Sequence, residues 1–79
     1  MDDYTAKAKL IKKFGSHRRC ATYCNIKAPR FSLLWNGHEK PNAKEAQQIR
    51  AALGSSIIAL MRDRYRANRE TQYSQKNVA

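Results

Sequence analysis

The sequence predicts an all-α protein, a compact domain of five short helices. Three observations carry that expectation. Apolar residues recur at spacings of three and four over five separate stretches, the period of a helix with one buried face. Each stretch is bracketed by residues that start or stop helices, and none alternates with the period of two expected of a strand. Only three glycines and two prolines fall within 79 residues, a length that suits one small domain.

Helix 1 is expected over residues 4–14. Ala8, Ile11 and the pair Leu10/Phe14 form its apolar face, and Lys9, Lys12 and Lys13 lie on the others. Asp2 or Asp3 can cap its amides, and Gly15 ends it where a left-handed residue is wanted. Ser16 caps helix 2, residues 17–24, which has Ala21 in its middle and Cys20 and Cys24 on one face. Asn25 follows as the best non-glycine residue for a positive-φ turn, and Ile26 drops into the core.

Helix 3 is expected over residues 28–36. Pro29 falls in its first turn, where a missing amide proton costs little. Phe31 and Leu34 point inward and Gly37 stops the helix. Asn42-Ala-Lys-Glu45 has the form of a capping box for helix 4, which buries Ala46, Ile49, Ala52 and Leu53 before Gly54. Ser55 or Ser56 caps helix 5, whose apolar stripe is Ile57, Leu60, Met61 and Tyr65. From Ala67 on no apolar face continues, so the expected organisation is a domain over residues 1–66 and a flexible polar tail over 67–79.

Charge narrows the function. The net charge is +10, and it is lopsided. Between Asp3 and Glu39 there is no acidic residue, yet Lys7, Lys9, Lys12, Lys13, Arg18, Arg19, Lys27 and Arg30 all lie there. Such asymmetry points to a polyanion on one face. A basic membrane-surface helix would need a long, wide apolar face, and no stretch has one. Met1-Asp2-Asp3 lacks the start of a secretory signal, and no segment is long enough to span a bilayer. With two unbridged cysteines, the expected location is a reducing cytoplasm.

Helices 2 and 3 with their turn have the make-up of a helix-turn-helix. A small residue is needed where the helices cross, and Ala21 provides it. Asn25 serves in the turn in place of the usual Gly, and Cys20, Cys24, Ile26, Phe31 and Leu34 glue the two helices. That motif lays its second helix into the DNA major groove. Here the chain resembles the lambda-repressor/Cro class of phage regulators. Phe14-Gly15-Ser16-His17-Arg18 is similar to the Phe-Gly-Thr-Gln-Arg entry of the all-helical Cro proteins of lambdoid phages. Leu34-Trp35-Asn36-Gly37 is similar to the Leu-Phe-Asn-Gly end of the lambda-repressor recognition helix. The resemblance covers roughly residues 5–54. It departs at Asn25 and at Lys27-Ala28-Pro29, where the family has Ser, Thr or Gln.

The resemblance implies a lambda-repressor-like fold and a sequence-specific repressor that binds double-stranded operator DNA as a dimer, in the nucleoid of a bacterial host. If Phe31 and Leu34 face inward, Ala28, Pro29, Ser32, Leu33 and Asn36 face the groove. That set suits thymine methyls better than guanine edges. Arg30, at the edge, could reach a guanine bidentately or a phosphate. Lys27 lies close to a phosphate. His17, followed by Arg18 in the first turn of helix 2, matches a phosphate-contacting glutamine of the family, and its plain alternative is an exposed neutral histidine. Ile57, Leu60 and Met61 either form the dimer contact or close the monomer core.

Other functions fit less well. Zinc would ask for four ligands, and Cys20 and Cys24 occupy core positions where free Cys acts as a small hydrophobe, so neither metal nor cofactor is expected. No paired carboxylates, phosphate loop or nucleophile–base pair suggests an enzyme. RNA binding would call for exposed stacking aromatics, with Tyr23 and Trp35 the candidates. An excisionase-like architectural factor or a transcriptional activator would share the fold with a repressor.

Overall fold

The computed structural model describes the backbone of residues 3–78 and the side chains of residues 4–70. Five helices follow one another: α1 (Asp3–Phe14), α2 (His17–Tyr23), α3 (Ala28–Trp35), α4 (Ala43–Leu53) and α5 (Ser55–Val78). No strand occurs among the described residues. The all-helical, five-element expectation holds, with most helix ends within a residue of the expected positions.

The punctuation acts as its chemistry dictates. Ser16 lies in extended backbone ahead of α2 and accepts the Arg19 amide at 3.1 Å. The α4 capping box is complete: Asn42 Oδ1 accepts from the Glu45 amide at 2.8 Å, and Glu45 Oε1 accepts from the Asn42 amide at 3.0 Å. Asn25 is the one described non-glycine residue at positive φ (57°). The junction of α4 and α5 is abrupt, with Gly54 at φ 95° and the next residue already helical. Ser55 and Ser56 therefore lie inside α5 and not ahead of it.

The core gathers Leu10 from α1, Cys20 and Ala21 from α2, Phe31 and Leu34 from α3, Ile49 and Leu53 from α4, and Ile57, Ile58 and Met61 from α5. No charged or polar residue is buried among the described side chains. Two expectations change here. The buried face of α1 is Ala6 and Leu10 with Phe14 packed at its end, whereas Ala8 is exposed and Ile11 is 42% exposed. Residues 6, 10 and 14 make an unbroken stripe at four-residue spacing, so that phase buries more of the helix than the 8–11 face does.

The second change concerns the end of the chain. α5 does not stop near residue 66 but runs as one helix of 24 residues to Val78. Part of the reason lies in Asn68, whose side-chain amide bonds to carbonyls at the end of α3 and so anchors the helix beyond its apolar stripe.

Candidate nucleic-acid interface

α2 and α3 meet through a four-residue turn. The Cys24 amide donates to Cys20 O at 3.0 Å, Asn25 to Thr22 O at 3.0 Å, and Ile26 to Ala21 O at 2.9 Å. Asn25 in the left-handed region reverses the chain, and Lys27 in extended backbone (φ −63°, ψ 142°) aims α3. Ala21 is 1% exposed, and its small side chain lets the two helices approach.

α3 is sharply two-faced. Phe31, Leu34 and Trp35 are buried, while Pro29, Ser32, Leu33 and Asn36 are exposed and Ala28 is half-buried. Leu33 keeps 42% of its surface in solvent, an apolar side chain on the outer face of a helix. Pro29, Ser32, Leu33 and Asn36 are thus outward as expected from the sequence, and Ala28 is only partly so. Lys27 and Arg18 are exposed at the N-terminal ends of α3 and α2, and no carboxylate occurs in either helix. Asn36 Nδ2 turns back onto Ser32 O at 3.0 Å, which holds its side chain along the helix.

The two ends of α3 are treated differently. Lys27 supplies no side-chain cap, and Pro29 has no amide proton. The first-turn amides of Ala28 and Arg30 thus lack a protein acceptor among the described residues, beside a lysine and at the positive end of the helix dipole. At the C-terminus every carbonyl is taken. His38 N donates to Leu33 O at 2.9 Å and Gly37 N to Leu34 O at 3.2 Å, the paired bonds of a Schellman motif. Arg64 donates to Trp35 O, and Asn68 donates to Asn36 O at 3.1 Å and Gly37 O at 2.9 Å. The Arg64 guanidinium also lies 5.3 Å from the centre of the Trp35 ring. Sequence reasoning missed Arg64 and Asn68. Their only local trace is a four-residue spacing that puts both on one face of α5.

Several expected roles are corrected. Arg30, expected on a guanine or a phosphate, is paired within the free chain: its guanidinium donates to both Glu45 oxygens at 3.0 Å and lies 3.8 Å from Glu39. A bidentate carboxylate pair uses the fork that guanine recognition would need. The same bond holds the Glu45 carboxyl below its ordinary range, aided by the Asn42 amide.

His17 is not the exposed ring of its plain alternative. It is half-buried, edge-on to Trp35 at 4.9 Å and to Phe31 at 5.9 Å. Burial, then the nearby charge of Lys7, pushes its pKa down. Its ring therefore braces the inner side of α3.

Ile57 and Met61 are 0% and 1% exposed within the single chain, so they have no surface to offer a second copy. They close the monomer core, and only Leu60 of that trio is partly open. Cys20 and Cys24 are buried free thiols, and burial pushes Cys20 up to about 12. No described helix is long and apolar enough to cross a membrane. The chain matches no family model, no curated protein and no solved structure.

Proposed function

We propose that the chain is a sequence-specific double-stranded DNA-binding regulator in which α2 and α3 act as a helix-turn-helix, α3 being the recognition helix of a lambda-repressor-like domain. The observation that carries the reading is the solvent face of α3. Pro29, Ser32, Leu33 and Asn36 stand exposed on a helix whose free amide end lies beside Lys27, within two helices that hold no acid. Exposed apolar surface on a rigid, positively ended helix fits thymine methyls in a major groove, with the lysine and the amides on phosphate. The role is binding, not catalysis: a Cro-like phage or prophage repressor on operator DNA, as a dimer with half-site centres about 10 base pairs apart.

The test separates positioning from readout. DNA selected from a random pool gives the operator, and binding of variants is then measured on it and on unrelated duplex. Lys27→Ala should weaken binding to both and reduce the salt slope by about one. Leu33→Ala should weaken the operator alone, by about 1 kcal/mol, and replacing one operator thymine by uracil should give a similar, non-additive loss. Phe31→Ala is the control for folding, with a cost of about 3–5 kcal/mol. Selection of no sequence, or equal losses for Leu33→Ala on both DNAs, would overturn the reading.

A further inference from the structure

Beyond the α2–α3 unit the strongest feature is a cationic strip on α5. Arg62, Arg66 and Arg69 follow at i, i+4 and i+7, so they stand above one another on one helix face, and all three are exposed. Together with Lys40 from the loop after α3, and with Tyr65, they line an open groove of about 500 Å³. Glu70 is its one carboxylate, because Asp63 faces a different depression beside Leu60. Among the described residues none of the three arginines has an ion-pair partner. Like charges three and four apart on a helix repel, by about 0.2–0.5 kcal/mol per pair. A groove with four cations, Lys40, Arg62, Arg66 and Arg69, against the single carboxylate of Glu70 complements a line of negative charge.

Its position says which one. α5 crosses the C-terminal end of α3 so closely that Gly37 touches the backbone of Arg64 and Tyr65. Arg64 and Asn68, on the side of α5 turned away from the strip, hold the last carbonyls of α3. The strip returns to that end through Lys40, which lies in the loop just past Gly37 and lines the same groove. α3 has eight residues, about 12 Å at 1.5 Å per residue. A helix docked in the major groove lies between the two phosphate backbones, so the loop that leaves its end passes close to phosphate.

We infer that Lys40, Arg62, Arg66 and Arg69 form a second phosphate-binding strip, which tracks the DNA backbone at the C-terminal rim of the α3 footprint. The inference rests on the DNA-binding reading above and deepens it. The strip reads no bases. It adds affinity that is independent of sequence and sensitive to salt, and it lengthens the contacted duplex beyond what α2 and α3 cover.

The experiment uses the full chain and a fluorescent 25-base-pair duplex of arbitrary sequence, titrated from 50 to 250 mM KCl. The triple variant Arg62→Gln, Arg66→Gln, Arg69→Gln alters only exposed side chains, and a thermal melt checks that it stays folded. Each neutralised phosphate contributes about 0.9 to the slope of log affinity against log salt. The triple variant should therefore bind with a slope shallower by about 2–3. Arg18→Gln, Lys27→Gln should give its own, additive reduction. An unchanged slope in the triple variant, with a reduced one in Arg18→Gln, Lys27→Gln, would overturn the strip and leave the DNA-binding reading standing. No salt-dependent binding by the wild-type chain would overturn both. Loss of binding to polyglutamate but not to duplex in the triple variant would assign the strip to an acidic protein and overturn it as well.

Discussion

Replacing Gly37 with alanine puts a methyl group where α3 and α5 touch. A Cβ at this position would lie 2.6 Å from Arg64 Cβ, 2.7 Å from Arg64 C and 2.8 Å from Tyr65 N. Two of these neighbours are α5 backbone, so no side chain can swing aside and the helix itself must move. Gly37 also sits at φ +78°, where an L-residue costs about 1–2 kcal/mol. Overpacking adds about 1–3 kcal/mol, for a total loss of about 2–5 kcal/mol. A domain of this size loses about 4–8 °C of Tm per kcal/mol, so Tm should fall by at least about 8 °C. Gly15→Ala separates the two costs. Gly15 has φ +90°, but its nearest atoms are the movable end of Arg19, at 3.5 and 3.8 Å. It should pay the backbone cost alone. Urea unfolding of both variants is the assay. Equal losses would refute the argument that backbone contact at Gly37 holds α5 against α3.

Two further outcomes follow from the titrating groups. His17 has a folded-state pKa below its unfolded value of 6.5, so its contribution is full above that pH and is lost as pH falls through the folded value. Unfolding free energy measured by urea should decline below about pH 6.5, and His17→Gln should flatten that decline; an unchanged profile would remove the histidine from the account. Glu45 is depressed from 4.5, so the Arg30 pair contributes above that value, and a separate decline, absent in Glu45→Gln, should appear below it. The Cys20 thiol, pushed up to about 12 by burial, should react with a disulfide reagent at pH 8 only as fast as the protein opens. Labelling as fast as in denatured protein would contradict its burial.

What could be read from the sequence was what local chemistry decides. Asn42 and Glu45 are three residues apart and cap each other, Asn25 takes the positive-φ turn, and Phe31 and Leu34 set the phase of α3. The outward face of α3 followed from that phase alone. α1 was harder, because apolar residues at 6, 8, 10, 11 and 14 support two overlapping faces, and only its packing against the rest of the domain chooses between them. Pairings across long separations leave no local trace. Arg30 meets Glu45 fifteen residues on, and Arg64 reaches the Trp35 carbonyl 29 residues back. The first engages the Arg30 fork in the free chain, and the second supplies the clamp on α3. The same blindness applies to the stripe Ile57, Leu60, Met61: its period marks a buried face but cannot say whether the burying partner is the same chain or a second one.

The asymmetry of α3 ties these results together. A short helix in solution offers partial positive charge at one end and partial negative charge at the other, and a polyanion is attracted to the first and repelled by the second. Here the negative end is neutralised from within, by a Schellman turn, an arginine and an asparagine amide. The positive end keeps its amides open and has a lysine in place of a capping side chain. An ordinary Ser or Asp at position 27 would stabilise the free protein by about 1 kcal/mol through capping. That substitution would also occupy the amides that the DNA-binding reading assigns to phosphate. Lys27→Asp should therefore raise Tm while weakening duplex binding more than Lys27→Ala does, since it blocks the amides and places a negative charge on the same rim. Stabilisation without that extra loss of binding would mean that the open end of α3 faces water and not DNA.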